Sequence, residues 1–262
     1  MMNRYQYRAF TATKPHTRDL PKPLEDRVLA DPANGIYMVL DGITRVHDEY
    51  EKAPFESAAC KVNELVAETA YRCLLEHKDP ADPIKSLRDA VLSANEKIRA
   101  FRNARSLEEW GFYPGTLGIV GLVCRDCFYY VYLGDCTGAL LREGAVSFFG
   151  TQLGVSAVEK LGLTKEERYA RHCNHPESQY AYGIFNGDET VSEMLEEGKI
   201  ELKKGDVILL ASDGLSEYLK KEDPALLGEK TPEEMIEAST LFDQPPYRSY
   251  ADDKGIVKIT VL

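Results

Sequence analysis

The sequence lacks any apolar run long enough to cross a bilayer, which excludes a membrane-spanning helix. Its opening, MMNRYQYRAF, has no apolar centre of the kind a secretory signal needs. Basic residues are not in excess either. The formal charge is −11, which argues against a sequence-independent hold on nucleic acid or on an anionic membrane. A Cys-x-x-Cys stretch occurs once, at Cys124 and Cys127, and zinc would require a second ligand pair that the chain does not space for it. No repeat, low-complexity tract or linker divides the chain, so residues 1–262 read as one domain. Six cysteines without secretory features read as reduced thiols, and the expectation is a cytoplasmic protein with a monomer favoured.

What is present begins with a core: 44% of the residues are hydrophobic and 10% aromatic, enough for a sizeable buried interior. Alternation in YQYRAF (5–10) and RVLAD (27–31), and the apolar run of GIYMVLDG, predict strands. The period then changes. From Pro54 to His77 apolar residues recur at helical spacing, and a second helix is predicted over roughly 84–104 after the stop at Asp79-Pro80-Ala81-Asp82-Pro83. Strands return in TLGIVGLVC and CFYYVYLGD around a two-residue turn at Arg125-Asp126, then in GALLRE and AVSFF. KEERYARHCNH suggests a short helix, with His172 to His175 at its exposed end. Glu193, Glu196 and Glu197 read as a solvated helix face. IELKKGDVILLAS holds two more strands, helices follow near 215–221 and 232–240, and GIVKITVL closes the chain as a strand. Strands grouped with strands and helices paired in sequence favour an α+β layered fold.

Three carboxylates stand where an apolar run meets a loop: Asp41 in YMVLDGIT, Asp213 in ILLASDGLSEYL, and Asp252 of the pair Asp252-Asp253. Strand ends of one core can converge on one rim. Carboxylates gathered there repel and raise each other's pKa unless a cation neutralises them. With no histidine or cysteine among them, the matching ion is hard and oxygen-preferring, Mg²⁺ or Mn²⁺. Gly42 and Gly214 lack side chains, which lets the backbone turn sharply and a carbonyl approach the ion. Asp-Gly alone is also a common turn pair.

These segments resemble the metal-dependent type 2C protein serine/threonine phosphatases. Glu25-Asp26 before RVLAD looks like the family's first acidic motif and YMVLDGIT like its Asp-Gly motif. GTLGIVGLV with YVYLGDCTGALL looks like its paired Gly-Thr and Gly-Asp-Ser strands. ILLASDGLSEYL is similar to its Ser-Asp-Gly motif, and ADDKGIVKITV to its closing strand. The resemblance runs in order from about residue 25 to the C-terminus. It implies a four-layer α-β-β-α sandwich, two mainly antiparallel sheets flanked by paired antiparallel helices. It also implies two divalent cations, Mg²⁺ or Mn²⁺, and a third, weaker one. Asp41 would bridge the two, with the Gly42 carbonyl and Glu25 serving one and Asp213 and Asp252 the other. Asp26, Glu217 and Asp253 would lie in the outer shell, and Asp135 would serve the third ion. The implied activity is removal of phosphate from phosphoserine or phosphothreonine in proteins, by direct attack of a water held between the ions.

The sequence departs from the family at two places. Ile43 follows Asp-Gly where many members carry a histidine that protonates the leaving group, although bacterial members often lack it as well. His47 is the nearby alternative as general acid, against an ordinary reading as a solvated loop residue. Pro21 occupies the usual place of the phosphate-binding arginine, leaving Arg18, Lys22 and Arg45 as the available cations. Trp110, Phe112 and Tyr113 would line a substrate rim or pack above the helix pair. Two alternatives follow: a catalytically weak phosphatase-like binding or regulatory module, and a small-molecule phosphatase on the same fold. An aspartyl-nucleophile hydrolase, suggested by VLDGIT alone, needs a second aspartate two residues away, and Val39 stands there instead.

Overall fold

The computed structural model describes residues 4–17, 23–43, 57–104, 114–247 and 251–262. Two five-stranded antiparallel sheets lie at its centre. The first contains β1 (Tyr7–Lys14), β6 (Thr137–Arg142), β7 (Ala145–Phe149), β9 (Val207–Ala211) and β10 (Lys254–Val261), in the order β1-β10-β9-β6-β7. The second contains β2 (Arg27–Asp31), β3 (Ile36–Gly42), β4 (Thr116–Cys124), β5 (Cys127–Leu133) and β8 (Glu196–Glu201), in sequence order.

Helices cover both outer faces. The pair α1 (Ala58–His77) and α2 (Pro83–Ala104) packs on the second sheet. On the first sheet lie α6 (Ser216–Lys221), α7 (Pro224–Glu229) and α8 (Pro232–Ala238). Between β7 and β8 come α3 (Leu153–Glu159), α4 (Lys165–His172) and the single turn α5 (Val191–Met194). The layers are therefore α-β-β-α, the α+β sandwich expected.

Strand periodicity builds these layers. In β3, Ile36, Met38 and Leu40 meet the helix pair while Tyr37 and Val39 enter the space between the sheets. Both faces are covered, so the strand reads as an unbroken apolar run. In β9, Ile208 and Leu210 face the other sheet, and Val207, Leu209 and Ala211 face α6 to α8. Ser57 caps α1 by accepting from the Cys60 amide, and Asp82 accepts from Lys85 N at 3.0 Å at the start of α2. The Arg125-Asp126 turn is present, with both residues at positive φ (51° and 59°).

Three expectations are corrected. Glu196 and Glu197 lie on strand β8, paired with β5, and only Glu193 is helical. Their charge suits an edge strand, where it discourages pairing with another chain. His172 closes α4, but Cys173 and Asn174 after it are buried, not an exposed end. Asn174 donates to the Ile184 carbonyl and to Asn186 Oδ1, both at 3.0 Å. Helix α7 was not anticipated; Asp223 caps it and Pro224 opens it. Among the described residues no helix is long and apolar enough to cross a membrane.

Candidate metal centre

Antiparallel pairing brings the acidic strand ends to one rim. Asp26 precedes β2, Asp41 sits at the end of β3, and Asp135 lies in the turn from β5 to β6. Asp213 follows β9, and Asp252 precedes β10. Both sheets thus contribute. Asp26 is almost fully enclosed, and burial pushes its carboxyl well above the ordinary range. The Ser212 hydroxyl pulls the other way, and Asp253, Asp213 and Asp252 add to the rise. Asp41 is raised in the same sense, by burial first and then by Asp213, Asp26, Asp135 and Asp252. Asp26 and Asp41 thus each feel the charge of neighbouring acids on the rim.

The two glycines let the rim close. A Cβ on Gly42 would lie 2.7 Å from the Glu25 Cβ and 2.8 Å from its carbonyl oxygen. On Gly214 it would lie 2.0 Å from the Asp253 carbonyl oxygen. Each glycine therefore allows one strand end to press against the neighbouring acidic segment. Thr116 fixes the Asp41 backbone, its hydroxyl donating to the Asp41 carbonyl at 2.8 Å.

The remaining acids have more specific partners. Glu25 Oε1 accepts from the Ser57 hydroxyl at 2.6 Å, tying this carboxylate to the first turn of α1. Asn63 of α1 donates to the Glu25 carbonyl. Asp253 uses both oxygens on backbone amides, Oδ1 from His16 at 2.7 Å and Oδ2 from Glu25 at 3.0 Å. It holds the segment before β2 against the start of β10. Glu217 lies 3.8 Å from both Lys220 and Lys221 on its own helix. Ser57 and Asn63 escaped the sequence reading. Ser57 carried a findable signal, a hydroxyl just before a helical apolar period; Asn63 showed only as a polar residue on the buried face of α1. Arg18, Lys22, Arg45, His47, Trp110, Phe112 and Tyr113 lie outside the described residues.

Among the described residues, no three His, Cys, Asp or Glu side chains form a ready-made ligand set. The chemistry of the cluster nonetheless fits a hard divalent cation. Its donors are all oxygens, its carboxylates repel, and Asp26 Oδ2 is buried without a hydrogen bond.

The fold is that of the bacterial serine/threonine phosphatases of the PPM, or type 2C, group. Among solved structures, PppA of Pseudomonas aeruginosa, described as a key regulatory component of T6SS, superposes with a TM-score of 0.70 at 17% identity, over 98% of each chain. The Mycobacterium tuberculosis serine/threonine phosphatase PstP/Ppp gives 0.69 at 21% identity, over 97% of this chain and 98% of that one. The catalytic domain of the serine/threonine phosphatase PstP in complex with two manganese ions gives 0.65 at 20% identity, over 98% of each. No protein-family model and no curated protein matches the sequence.

Proposed function

We propose that this protein is a Mg²⁺- or Mn²⁺-dependent phosphomonoesterase that removes phosphate from phosphoserine or phosphothreonine in proteins. The carrying observation is the gathering of Asp26, Asp41, Asp135, Asp213 and Asp252, from both sheets, on one rim where burial first and then the charge of neighbouring acids raise the pKa of Asp26 and Asp41. A cluster of like charge costs stability and points to a cationic ligand rather than to packing. In this reading Asp41, Asp213 and Asp252 hold two cations with Glu25 and the Gly42 carbonyl, and Asp135 holds a third. Bound there, divalent cations would offset charge on the phosphoryl oxygens and ease deprotonation of an attacking water.

The chain's own part is positioning. Asp253 and Thr116 fix the backbones of the acidic segments, and Ser57 with Asn63 tethers Glu25 to α1. Arg18, Lys22 and Arg45 are the proposed phosphate contacts, and His47 is the proposed proton donor to the leaving oxygen. The substrate is then a phosphoprotein met in the cytoplasm by a monomer.

The test is manganese-dependent phosphate release from a phosphopeptide. Asp41→Asn and Asp213→Asn should each abolish it, and full activity in either variant would overturn the assignment. The tether on Glu25 favours a second reading, a phosphatase-like binding module with weak activity, because it commits one Glu25 oxygen to a helix cap. Calorimetry separates the two: no divalent-ion binding at millimolar concentration would favour the module.

A further inference from the structure

The turn that carries Asp135 is gripped on both sides by two consecutive residues, Thr151 and Gln152. Before Asp135, the Gln152 amide oxygen accepts from Gly134 N at 2.8 Å, and Gln152 N donates to the Gly134 carbonyl at 2.7 Å. After Asp135, the Thr151 hydroxyl donates to the Cys136 carbonyl at 2.9 Å. The turn has no slack: Gly134 has φ +80°, and a Cβ there would meet Leu117 Cδ2 at 2.3 Å. Rotating the Gly134–Asp135 peptide would break the bond from Gln152 N and swing the carboxylate, and the Thr151 bond anchors the chain one peptide beyond Asp135, at the Cys136 carbonyl.

Gln152 does more than hold the turn. It is 3% exposed. Its amide oxygen also accepts from Gly183 N at 2.7 Å, and its Nε2 donates to the Met194 carbonyl at 2.8 Å. The chain therefore leaves for α3 and α4 at Gln152 and is pinned to the same amide when it returns at Gly183. On the other side, Thr137 Oγ1 lies 3.4 Å from Thr151 Oγ1 and 3.1 Å from Ser216 Oγ, just beyond Asp213. The pair thus ties the Asp135 turn to the α3–α4 excursion and, through Thr137, to the Asp213 end of the rim.

We propose that Thr151 and Gln152 are positioning residues for Asp135, setting how tightly Asp135 holds its cation and coupling that cation to the α3–α4 excursion. This rests on the metal-dependent reading above. Hydrogen-bond partners behind a ligand fix its orientation, and their loss weakens the ion that the ligand serves more than ions held elsewhere.

The experiment uses the full chain and Mn²⁺ alone, titrated calorimetrically without substrate, with amide exchange at Gly134 and Gly183 followed alongside. Thr151→Val and Gln152→Met should weaken the weakest binding step by about tenfold or more and leave the tighter steps unchanged. Thr151→Ser, which keeps the hydroxyl, should restore that step. In wild type, filling the weakest step should slow exchange at Gly183, and Gln152→Met should remove the effect. Should Gln152→Met fail to fold, the two Thr151 variants carry the test. If all steps weaken together, or the weakest does not move, the positioning role is overturned while the metal-dependent reading stands. If wild type binds no Mn²⁺, both are overturned.

Discussion

Strand β10 brings two kinds of buried charge within a few residues of each other. At its mouth, Asp252 and Asp253 adjoin Asp26 and Asp213, and burial first, then the charge of these neighbours, pushes the Asp26 carboxyl up. Along its length, Lys254 and Lys258 share the face of Ile256 that meets the helices, and both are almost fully buried. Lys254 donates to Asp243 at 2.5 Å and to the Ser239 hydroxyl at 2.9 Å. Lys258 donates to the Gly228 and Lys230 carbonyls at 2.6 and 2.7 Å, closing the C-terminal end of α7. Burial lowers the pKa of both lysines, but each has opposite charge or oriented carbonyls around it. The lysines are satisfied and hold helices to a sheet. The acids have like charge for neighbours, and that difference marks the site within a core where buried charge is not rare.

The sharpest way to break the contrast is to orphan the lysine pair. Lys254→Met leaves Asp243, itself buried, without its cation, and should cost about 3–5 kcal/mol in urea unfolding. Replacing Asp243 by leucine in the same chain should recover most of the loss, because the pair as a whole contributes little against apolar packing. A double variant as unstable as the single one would show that Lys254 does more than answer Asp243. Lys258→Met should cost less, about 2 kcal/mol, since it removes charge-assisted hydrogen bonds to carbonyls but strands no opposite charge. Equal losses from the two lysines would erase the distinction between an ion pair and a helix cap.

The two classes of charge differ as much in how legible they were. Asp41 and Asp213 stood out in sequence because a carboxylate ending an apolar strand has no packing role and the following glycine implies a close approach, which Glu25 and Asp253 supply. The layered fold was legible for the same local reason, since period-2 and helical patterns specify which face each element buries. Lys254 and Lys258 look like ordinary outward residues of a strand, because their partners sit elsewhere in sequence, on the Ser239 and Asp243 side chains and on carbonyls at the end of α7. Gln152 and Asn63 were invisible for that reason too: each is defined by backbone groups brought to it from elsewhere. Strand β8 was read only at its end, in IEL, because its start, EEGK, carries no apolar alternation of its own and is ordered by pairing with β5.

The smallest expected effect has the opposite sign and tests the acids directly. Asp26 and Asp41 have folded pKa values above those of unfolded carboxylates, which titrate near about 4. Above that pH the folded chain therefore holds protons that the unfolded chain has lost. Stability from these groups is complete below the unfolded pKa and falls as pH rises through the raised folded values. In chelator, the urea midpoint should carry this downward contribution from mildly acidic pH toward neutrality. Asp41→Asn removes one repelling charge, so metal-free protein should gain stability at neutral pH and lose part of the slope. Millimolar Mn²⁺ should flatten the wild-type slope, because a bound cation favours the ionised acids and stabilises the fold that binds it. The Lys254 and Lys258 variants should leave the slope unchanged, since those side chains donate to Asp243, Ser239 and helix-end carbonyls rather than to the rim acids. An unchanged slope in Asp41→Asn would mean that the rim's acids do not act on one another, and the contrast drawn along β10 would fail.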